Sequence, residues 1–400
     1  MSEIVLTVPN NRAGAIALDT IRNRGEQRRD YLYLGDLSRF LPGSLLTEYL
    51  PQLPAGFHLI EVREEIGDAL IRDFLGLHRE PDATSGERGH ILSAEPNWGF
   101  SLCAPPGGSP VLQPAHAMYM AQLQVQQAHA QGNQGACAHI ALIDTGADGV
   151  AIDDYYDLLD PITYHPGKAA AADAVGHGTA LATLIREVAP QCTLTVIRTT
   201  DSTTIPLWHL LAGIAMAVID AQAEILNLSL GLANITGTCT RCGASPTARG
   251  FALEYLMKAL RRMASHWFPG LQPPTYVAAT GNDGSGQGFF LPARYDVSLA
   301  VGSVNQKGQR SSFSTYGSYQ HSNYVMAPGG EKANGRTTEF PVSDNNDDYC
   351  GTSIAAAYAS SVLALLRTDD SSADLLQLAA QKVSAASPAS VCGSGRIEYS

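Results

Sequence analysis

The sequence predicts an α/β protein with a mostly parallel sheet, preceded by a smaller α+β unit. From His139 onward, short apolar runs alternate with helical segments, which is typical of parallel strands buried on both faces. The first 100 residues follow a different pattern of amphipathic helices and strands. A Pro- and Gly-rich stretch lies between the two. We therefore expect a domain at residues 1–100, a linker at 101–118 and a larger domain at 119–400.

The N-terminal unit contains alternating strand and helix signals. Its clearest element is the helix predicted at Glu64–Leu77, where apolar residues recur at helical spacing. The other predicted elements are strands at Glu3–Val8, Tyr31–Leu34, Phe57–Val62 and Gly89–Glu95, and a helix at Ala13–Arg24. This order is β-α-β-β-α-β, the ferredoxin-like arrangement.

The larger domain has a run of apolar strands with helices between them. The predicted strands are His139–Ile143, Thr193–Ile197, Glu224–Leu228, Tyr276–Ala279, Val297–Val301 and Tyr324–Ala327. The predicted helices are Thr179–Glu187, Leu207–Ala221, Phe251–Ser265 and Ser353–Arg367. Such elements form a sheet covered by helices on both faces, and sites form beyond the carboxyl ends of its strands. Asp144 follows one predicted strand and the turn Gly281-Asn282 follows another.

Composition narrows the classes of function. A hydrophobic fraction of 45% with 16% charged residues is typical of a globular protein, and no apolar run reaches the ~18 residues of a membrane helix. The net charge of -12 without a basic stretch argues against nucleic acid as a partner. The N-terminus does not resemble a secretion signal, which predicts a cytoplasmic protein unless export uses another route. The seven scattered cysteines do not resemble a disulfide framework.

Three short motifs carry the candidate chemistry, and they contain Asp144, His177 and Ser353 in that order. A serine hydroxyl becomes a nucleophile when a base takes its proton, and that base needs a third group to orient it. Each residue has a plainer interpretation: Asp144 could begin a turn, and Ser353 could cap a helix. The glycines on both sides of His177 are unusual for a core histidine. A second Asp-Thr-Gly motif, which an aspartic peptidase needs, is missing from the sequence.

Asn282 lies in the turn Gly281-Asn282-Asp283-Gly284. Its side-chain amide is a candidate donor to a developing oxyanion, beside the backbone N–H of Ser353 at a helix N-terminus. The alternative is an ordinary turn asparagine, because Asn-Asp-Gly favours turns.

The chain resembles the subtilisin-like serine peptidases, the subtilases, over roughly residues 120 to 400. The Asp–His–Ser order is the subtilisin order. The matching motifs are Ala141–Gly146, Gly176–Thr179, Asn227–Gly231, Ala279–Asn282, Ser311–Ser314, Met326–Gly329 and Gly351–Ser353. The resemblance implies that Asp144 orients His177, that His177 is the base, that Ser353 is the nucleophile and that Asn282 binds the oxyanion.

The resemblance also implies a polypeptide substrate. Ser229, Leu230 and Gly231 would pair with an extended substrate as an added strand, and Ala279 to Gly281 would form the other wall of the S1 pocket. Phe290 aligns with the floor of that pocket, where many subtilases have a small residue. If its ring points inward, it favours small P1 residues; the alternative is a loop shift that turns it outward.

The N-terminal unit is similar in pattern to subtilase propeptides, which assist folding and inhibit the active site until they are removed. This makes the chain's own N-terminal domain an expected intramolecular partner. A permanent regulatory domain that is never cleaved is an equal alternative.

The expected function is a serine endopeptidase that acts through an acyl-enzyme and requires no cofactor, with dedicated intracellular processing as one role. Subtilases often bind calcium, but no Asp-rich loop of this sequence can be assigned to it. Cys239-x-x-Cys242 has no second pair with metal spacing, which favours a small disulfide or free thiols. Asp344–Asp348 could bind an ion, but a solvated acidic loop is the commoner reason for such a run. The rival functions are a catalytically silent scaffold on the same fold and an esterase or acyl transferase with the same triad.

Overall fold

A computed structural model describes residues 2–28, 31–40, 45–62, 70–71, 73–74, 89–102, 110–159, 164–166, 172–233, 250–317, 323–344, 348–367, 374–384 and 395–399. The chain forms two compact units. The first unit comprises residues 1–99, 206–220 and 235–263, and the second comprises residues 100–205, 221–234 and 264–400. In the described part of the chain, none of the helices has the length and apolar character to cross a membrane.

The α-helices are, in chain order, α1 (Arg12–Arg28), α2 (Leu46–Tyr49), α3 (Pro114–Gln122), α4 (Val125–Ala130), α5 (His177–Val188), α6 (Leu207–Ile219), α7 (Phe251–Trp267), α8 (Thr352–Leu366) and α9 (Leu375–Gln381). The strands up to the middle of the chain are β1 (Ser2–Pro9), β2 (Tyr31–Asp36), β3 (Ala55–Val62), β4 (Ser93–Pro96), β5 (Gly99–Leu102), β6 (Val111–Leu112), β7 (His139–Asp144), β8 (Asp154–Asp157), β9 (Tyr164–Pro166), β10 (Thr193–Arg198) and β11 (Thr204–Pro206). The remaining strands are β12 (Ile225–Leu228), β13 (Leu230–Gly231), β14 (Thr275–Ala279), β15 (Ser298–Val304), β16 (Tyr324–Pro328), β17 (Glu331–Ala333), β18 (Arg336–Glu339), β19 (Val342–Ser343), β20 (Asp348–Tyr349), β21 (Val383–Ser384) and β22 (Arg396–Ile397).

The first unit is built on a four-stranded sheet in the order β2-β3-β1-β4. All its pairings are antiparallel, with Ile4 opposite both Ile60 on β3 and Pro96 on β4. This is the predicted ferredoxin-like order. Its core contains Ile4, Leu6 and Val8, which alternate along β1 and therefore share one face of the sheet.

In this unit one predicted strand starts later than expected, and one predicted helix is described only in part. The last strand was expected at Gly89–Glu95 but begins at Ser93, because the backbone N–H of His90 donates to Ala13 at the start of α1 and not to β1. The described residues within the predicted helix Glu64–Leu77 are helical, and Leu70, Ile71 and Phe74 join the core. The rest of that predicted helix lies outside the described residues.

The first unit also includes α6 and α7, which come from the middle of the chain. The carboxylate of Asp220, at the end of α6, accepts a 2.9 Å hydrogen bond from the N–H of Leu45. Tyr255 of α7 meets Phe57 edge to face, with 6.4 Å between ring centroids. The ferredoxin-like sheet is therefore packed against helices that belong to the sequence predicted for the larger domain.

The second unit contains a ten-stranded sheet in the order β21-β22-β16-β15-β14-β12-β7-β10-β8-β9. The eight strands from β22 to β8 are parallel, and the outer two pair antiparallel with their neighbours. Every residue of α8 is buried, and the helix packs on β12, β14, β15 and β16. Its many alanines permit this close approach.

The predicted linker at 101–118 contains regular structure in its described parts: the end of β5, the short strand β6 and the start of α3. These described residues take part in sheets, because β5 pairs with β13 and β6 pairs with β19. The predicted domain boundaries stay a prediction.

Candidate active site

Asp144 is the last residue of β7 and is completely buried. Its Oδ1 accepts hydrogen bonds from the N–H of Thr145 at 2.8 Å and from the Thr145 hydroxyl at 3.2 Å. Its backbone carbonyl accepts two more from Thr199, which follows the neighbouring strand β10. These bonds fix the carboxylate at the carboxyl end of the sheet.

His177 is the first residue of α5, and its side chain is only 1% exposed. Its Nδ1 lies 2.8 Å and 3.0 Å from the two carboxylate oxygens of Asp144, so Nδ1 carries the proton. Its Nε2 is buried without a hydrogen-bond partner among the described residues. A ring held in this tautomer has its basic nitrogen free.

Asp173 holds the turn in front of His177, a role that the sequence analysis missed. Its carboxylate accepts hydrogen bonds from the N–H groups of Val175 and Gly176, at 3.0 and 2.8 Å. It also accepts from the N–H and hydroxyl of Thr179, at 2.9 and 2.7 Å. An Asp before a helix is a familiar capping residue, and that is the signal that could have found it.

The net effect of the surroundings is to raise the pKa of His177. Burial lowers the pKa of the ring, but the charge of Asp144 and its hydrogen bond raise it, and the charge of Asp173 adds to the rise. The imidazolium that forms during proton transfer is therefore stabilised by two carboxylates.

Ser353 is the second residue of α8, whose N-cap is Gly351. The sequence predicted a helix from Ser353 and left open that Ser353 caps it; the helix begins one residue earlier and its N-cap is Gly351, so Ser353 is not the cap. Its hydroxyl donates a 2.9 Å hydrogen bond to the carbonyl oxygen of Ser229. The N–H of Ser353 belongs to the first turn of α8, where backbone amides have no acceptor within the helix.

A chain of buried hydrogen bonds ties α8 to β12 next to Ser353. The hydroxyl of Ser360 donates to Asn227 Oδ1 at 3.0 Å, and Asn227 Nδ2 donates to the Ser229 hydroxyl at 2.7 Å. The Ser229 hydroxyl donates to the carbonyl of Ser353 at 2.9 Å. The sequence analysis named Asn227 only as part of a motif and missed its role in this chain of hydrogen bonds. Its position as a polar residue inside the apolar strand β12 is the signal that could have indicated that role.

Asn282 follows β14, and its amide is oriented by α8. Its Oδ1 accepts hydrogen bonds from the N–H of Thr352 at 2.8 Å and from the Thr352 hydroxyl at 3.1 Å. The oxygen is engaged next to Ser353, so Nδ2 is the candidate donor to a ligand. The strands before Asn282, Ser229 and Asp144 are neighbours in the order β14-β12-β7, so the sheet brings these residues to one edge.

The strand that follows Ser229 is already paired with another strand of this chain. β5 lies between β11 and β13 in a three-stranded sheet. Its residues Ser101 and Leu102 pair antiparallel with Gly231 and Leu230, and the N–H of Leu102 donates to the carbonyl of Thr203 at 2.9 Å. The predicted substrate-binding strand is thus already paired with a segment of this chain.

The structure describes only some of the remaining candidate residues. Ala279 and Gly281 lie at the end of β14, with Phe290 close to Gly281. Cys239 and Cys242 lie outside the described residues, as does the middle of Asp344–Asp348. Within the residues that the structure describes, His, Cys, Asp and Glu side chains form no group of three or more arranged to hold a metal ion.

The fold and the three side chains together define an Asp–His–Ser protein built on a parallel α/β sheet. The model of the Subtilase family matches residues 135–393. The chain therefore belongs to this family, and the predicted family and fold class are confirmed.

Two curated relatives and one solved structure illustrate the similarity. M-protease from Shouchella clausii (strain KSM-K16) is 26% identical over 269 residues, which cover 65% of this chain and 61% of that protein. Subtilisin Savinase from Lederbergia lenta is 26% identical over 269 residues, 65% of this chain and 87% of that protein. The structure of MycP1 from Mycobacterium smegmatis has a TM-score of 0.54 at 20% identity and covers 76% of this chain and 89% of that one. At this identity the structural likeness shows the fold alone.

Proposed function

We propose that the chain is a serine endopeptidase that cleaves polypeptides through an acyl-enzyme. The observation that carries the proposal is the buried pair of Asp144 and His177, which leaves Nε2 of the imidazole without a partner among the described residues, while Ser353 binds Ser229 at the end of the neighbouring strand β12. The family match and relatives named as proteases support the same activity. Because the chain spans about three fifths of M-protease, the activity of the whole protein is inferred and not read from that relative.

The reaction begins when the Ser353 hydroxyl leaves the carbonyl of Ser229 and gives its proton to Nε2 of His177. The Ser353 oxygen then attacks the peptide carbonyl carbon, and the charge that develops on the carbonyl oxygen is bound by Asn282 Nδ2 and the N–H of Ser353. Asp144 keeps the proton on Nδ1 and stabilises the imidazolium. His177 next protonates the leaving amine, and a water activated by the same ring hydrolyses the acyl-enzyme. None of these steps requires a cofactor.

A polypeptide is the substrate class that the groove favours. A substrate that replaces β5 would form main-chain hydrogen bonds with β13 on one side and with β11 on the other, which is strand addition. A small ester would use the triad but not these strands. The ratio of peptide to small-ester hydrolysis therefore separates an endopeptidase from the rival esterase or acyl transferase.

The N-terminal domain is proposed to inhibit this site and to assist folding. Two contacts support the idea. Within the second unit, β5, which spans the end of the predicted N-terminal domain in the sequence, lies between β11 and β13 in a sheet. Within the first unit, the buried carboxylate of Glu95 accepts hydrogen bonds from the N–H groups of Gly250 and Ala252 at the start of α7, at 2.7 and 2.8 Å. Removal by autoprocessing and permanent retention are both compatible with these contacts.

The test is intact mass spectrometry of the wild type and Ser353→Ala after exposure to a fluorophosphonate probe. We expect one probe on the wild type and none on the variant, together with hydrolysis of a fluorogenic peptide by the wild type only. Loss of roughly the first 100 residues from the wild type alone would show autoprocessing, and labelling without trimming would show a retained domain. Equal labelling of both proteins would contradict the role of Ser353.

A cytoplasmic location and a dedicated intracellular processing role stay predictions. Fractionation of the native cells tests them, and detection of the protein only in the culture medium would contradict both. A calorimetric titration of the purified chain with calcium tests whether the chain binds this ion.

A further inference from the structure

The ring of Phe290 lies between two glycines of the substrate groove. A β-carbon placed on Gly281 would come within 2.6 Å of Phe290 Cδ1 and 2.8 Å of Cε1. A β-carbon placed on Gly231 would come within 3.0 Å of Phe290 Cβ and Cδ2. One edge of the ring therefore touches the segment after β14 and the other touches β13, so the ring spans the gap between them.

Hydrogen bonds on both sides hold the backbone of this loop. The N–H of Phe290 donates to the carbonyl of Thr280 at 3.0 Å, on the β14 side. Leu291 and Leu232 exchange two hydrogen bonds of 2.9 and 3.0 Å, on the β13 side. A loop shift that turns the ring outward would break these bonds, so the inward position follows from the backbone.

The pairing register shows which substrate residue reaches this gap. Ser101 is opposite Gly231 and Leu102 is opposite Leu230, so β5 runs toward Ser229. A polypeptide bound in the same register places its next residue opposite Ser229, whose carbonyl holds the Ser353 hydroxyl. That next residue is the one whose carbonyl faces the nucleophile, which makes it P1.

We infer that Phe290 occupies the space for the P1 side chain and limits the substrates to polypeptides with a small P1 residue, namely Gly, Ala or Ser. The inference deepens the proposed endopeptidase function and rests on it. A large P1 side chain would have to displace a ring that is packed against two backbone segments, and overpacking of this kind is unfavourable. Phe290 is thus a specificity-determining residue and takes no part in proton transfer.

The experiment compares kcat/KM for peptides that differ only at P1, with Gly, Ala, Ser, Leu or Phe at that position. The full-length chain is used, and active sites are counted with the fluorophosphonate probe. For the wild type we expect kcat/KM for the P1 Ala peptide to exceed that for the P1 Phe peptide by about tenfold or more. A pocket that is too small for a few extra carbon atoms has effects of this order. Cleavage after Phe as fast as after Ala would overturn the inference.

Two variants make the test specific to the ring. In Phe290→Ala, the ratio of kcat/KM for P1 Phe over P1 Ala should rise about tenfold or more. In Phe290→Leu, which keeps part of the side chain, the rise should be smaller. An unchanged ratio in a Phe290→Ala protein that still takes up the probe would refute the inference. A chain whose Ser353 takes up no probe in any form would instead refute the proposed function, so the two failures are distinguishable.

Discussion

Ser353 and Ser229 form a reciprocal pair of hydrogen bonds, each hydroxyl donating to the other residue's carbonyl oxygen at 2.9 Å. The Ser353 hydroxyl is therefore engaged with the carbonyl of Ser229 and not with Nε2 of His177, which has no partner among the described residues. The strand β5 pairs with the residues next to Ser229. In the proposed reaction, β5 must therefore leave β13 and the Ser353 hydroxyl must change its partner.

Weakening β5 should expose the site. Leu102→Pro removes the N–H that donates to the carbonyl of Thr203, and a strand without that bond should leave the groove more often. We expect the fluorophosphonate probe to label Leu102→Pro about fivefold faster than the wild type, since the loss of one hydrogen bond of about 1 kcal/mol changes an equilibrium by about this factor.

The matched control is Leu102→Ala, which shortens the side chain but keeps the N–H. Its labelling rate should lie well below that of Leu102→Pro. Equal rates in the wild type, Leu102→Ala and Leu102→Pro would show that β5 does not control access to Ser353.

Loss of the Asn282 amide should reduce kcat with little effect on KM. The donor acts on charge that appears only in the transition state, so Asn282→Ala should lower kcat about a hundredfold to a thousandfold, the magnitude known for loss of such a donor in a subtilisin. Steady-state kinetics on a peptide substrate measures this. Asn323→Ala, an amide outside the site, serves as the control. A tenfold rise in KM at constant kcat would mean that Asn282 binds the ground state instead.

Activity should fall on the acid side as His177 takes up a proton, because only the neutral ring can act as the base. Burial lowers the pKa of His177, but Asp144 and Asp173 together raise it by more than burial lowers it. The net pKa therefore lies above its usual 6.5. The acid limb of kcat/KM should therefore lie above pH 6.5.

Asp173→Asn tests the contribution of the second carboxylate. Removing its charge destabilises the imidazolium and lowers the pKa of His177, so the acid limb should move to lower pH. Asn keeps an oxygen that can accept from the turn amides, which limits the loss of structure. The pH profile of kcat/KM is the measurement, with the exposed Asp296→Asn as control. A limb that stays in place would leave Asp173 with a purely structural role.

Glu95 should stabilise the start of α7. Its carboxylate accepts hydrogen bonds from Gly250 and Ala252, and from the indole N–H of Trp98 at 3.1 Å. Glu95→Ala removes the acceptor of these hydrogen bonds, so the free energy that protects this helix from opening should fall by about 2 kcal/mol or more. Hydrogen exchange of peptides from residues 250–267 measures it. The exposed Glu48→Ala should show no such loss.

The carboxyl group of Glu95 should also make the stability of residues 250–267 depend on pH. Burial raises the pKa of Glu95 from 4.5 to about 7, against the hydrogen bonds that lower it. A folded-state pKa above the unfolded value means that stability is greatest below pH 4.5 and is lost as the pH rises through about 7. Protection of residues 250–267, corrected for intrinsic exchange rates, should therefore decline over this range in the wild type but not in Glu95→Gln.

The sequence by itself determined the order of elements and the identity of the candidate triad. Buried strands such as Ile140–Ile143 and the amphipathic helix at Ala13–Arg24 are local patterns, because strand and helix periodicity depend on neighbouring residues only. Asp144, His177 and Ser353 were found from their immediate contexts. The strand at Ser93–Pro96 was misplaced at its start, since its beginning depends on pairing with β1.

The tertiary structure alone decided which distant groups meet. The partner of the Ser353 hydroxyl, the Asn227–Ser360 hydrogen bond, the capping of α7 by Glu95 and the pairing of β5 with β13 join residues far apart in the chain. The sequence allowed the ring of Phe290 to point inward or outward. The hydrogen bonds of its loop to Thr280 and Leu232 depend on the tertiary structure and hold the loop in place. Long-range contacts of this kind depend on how strands and helices pack, which local periodicity does not encode.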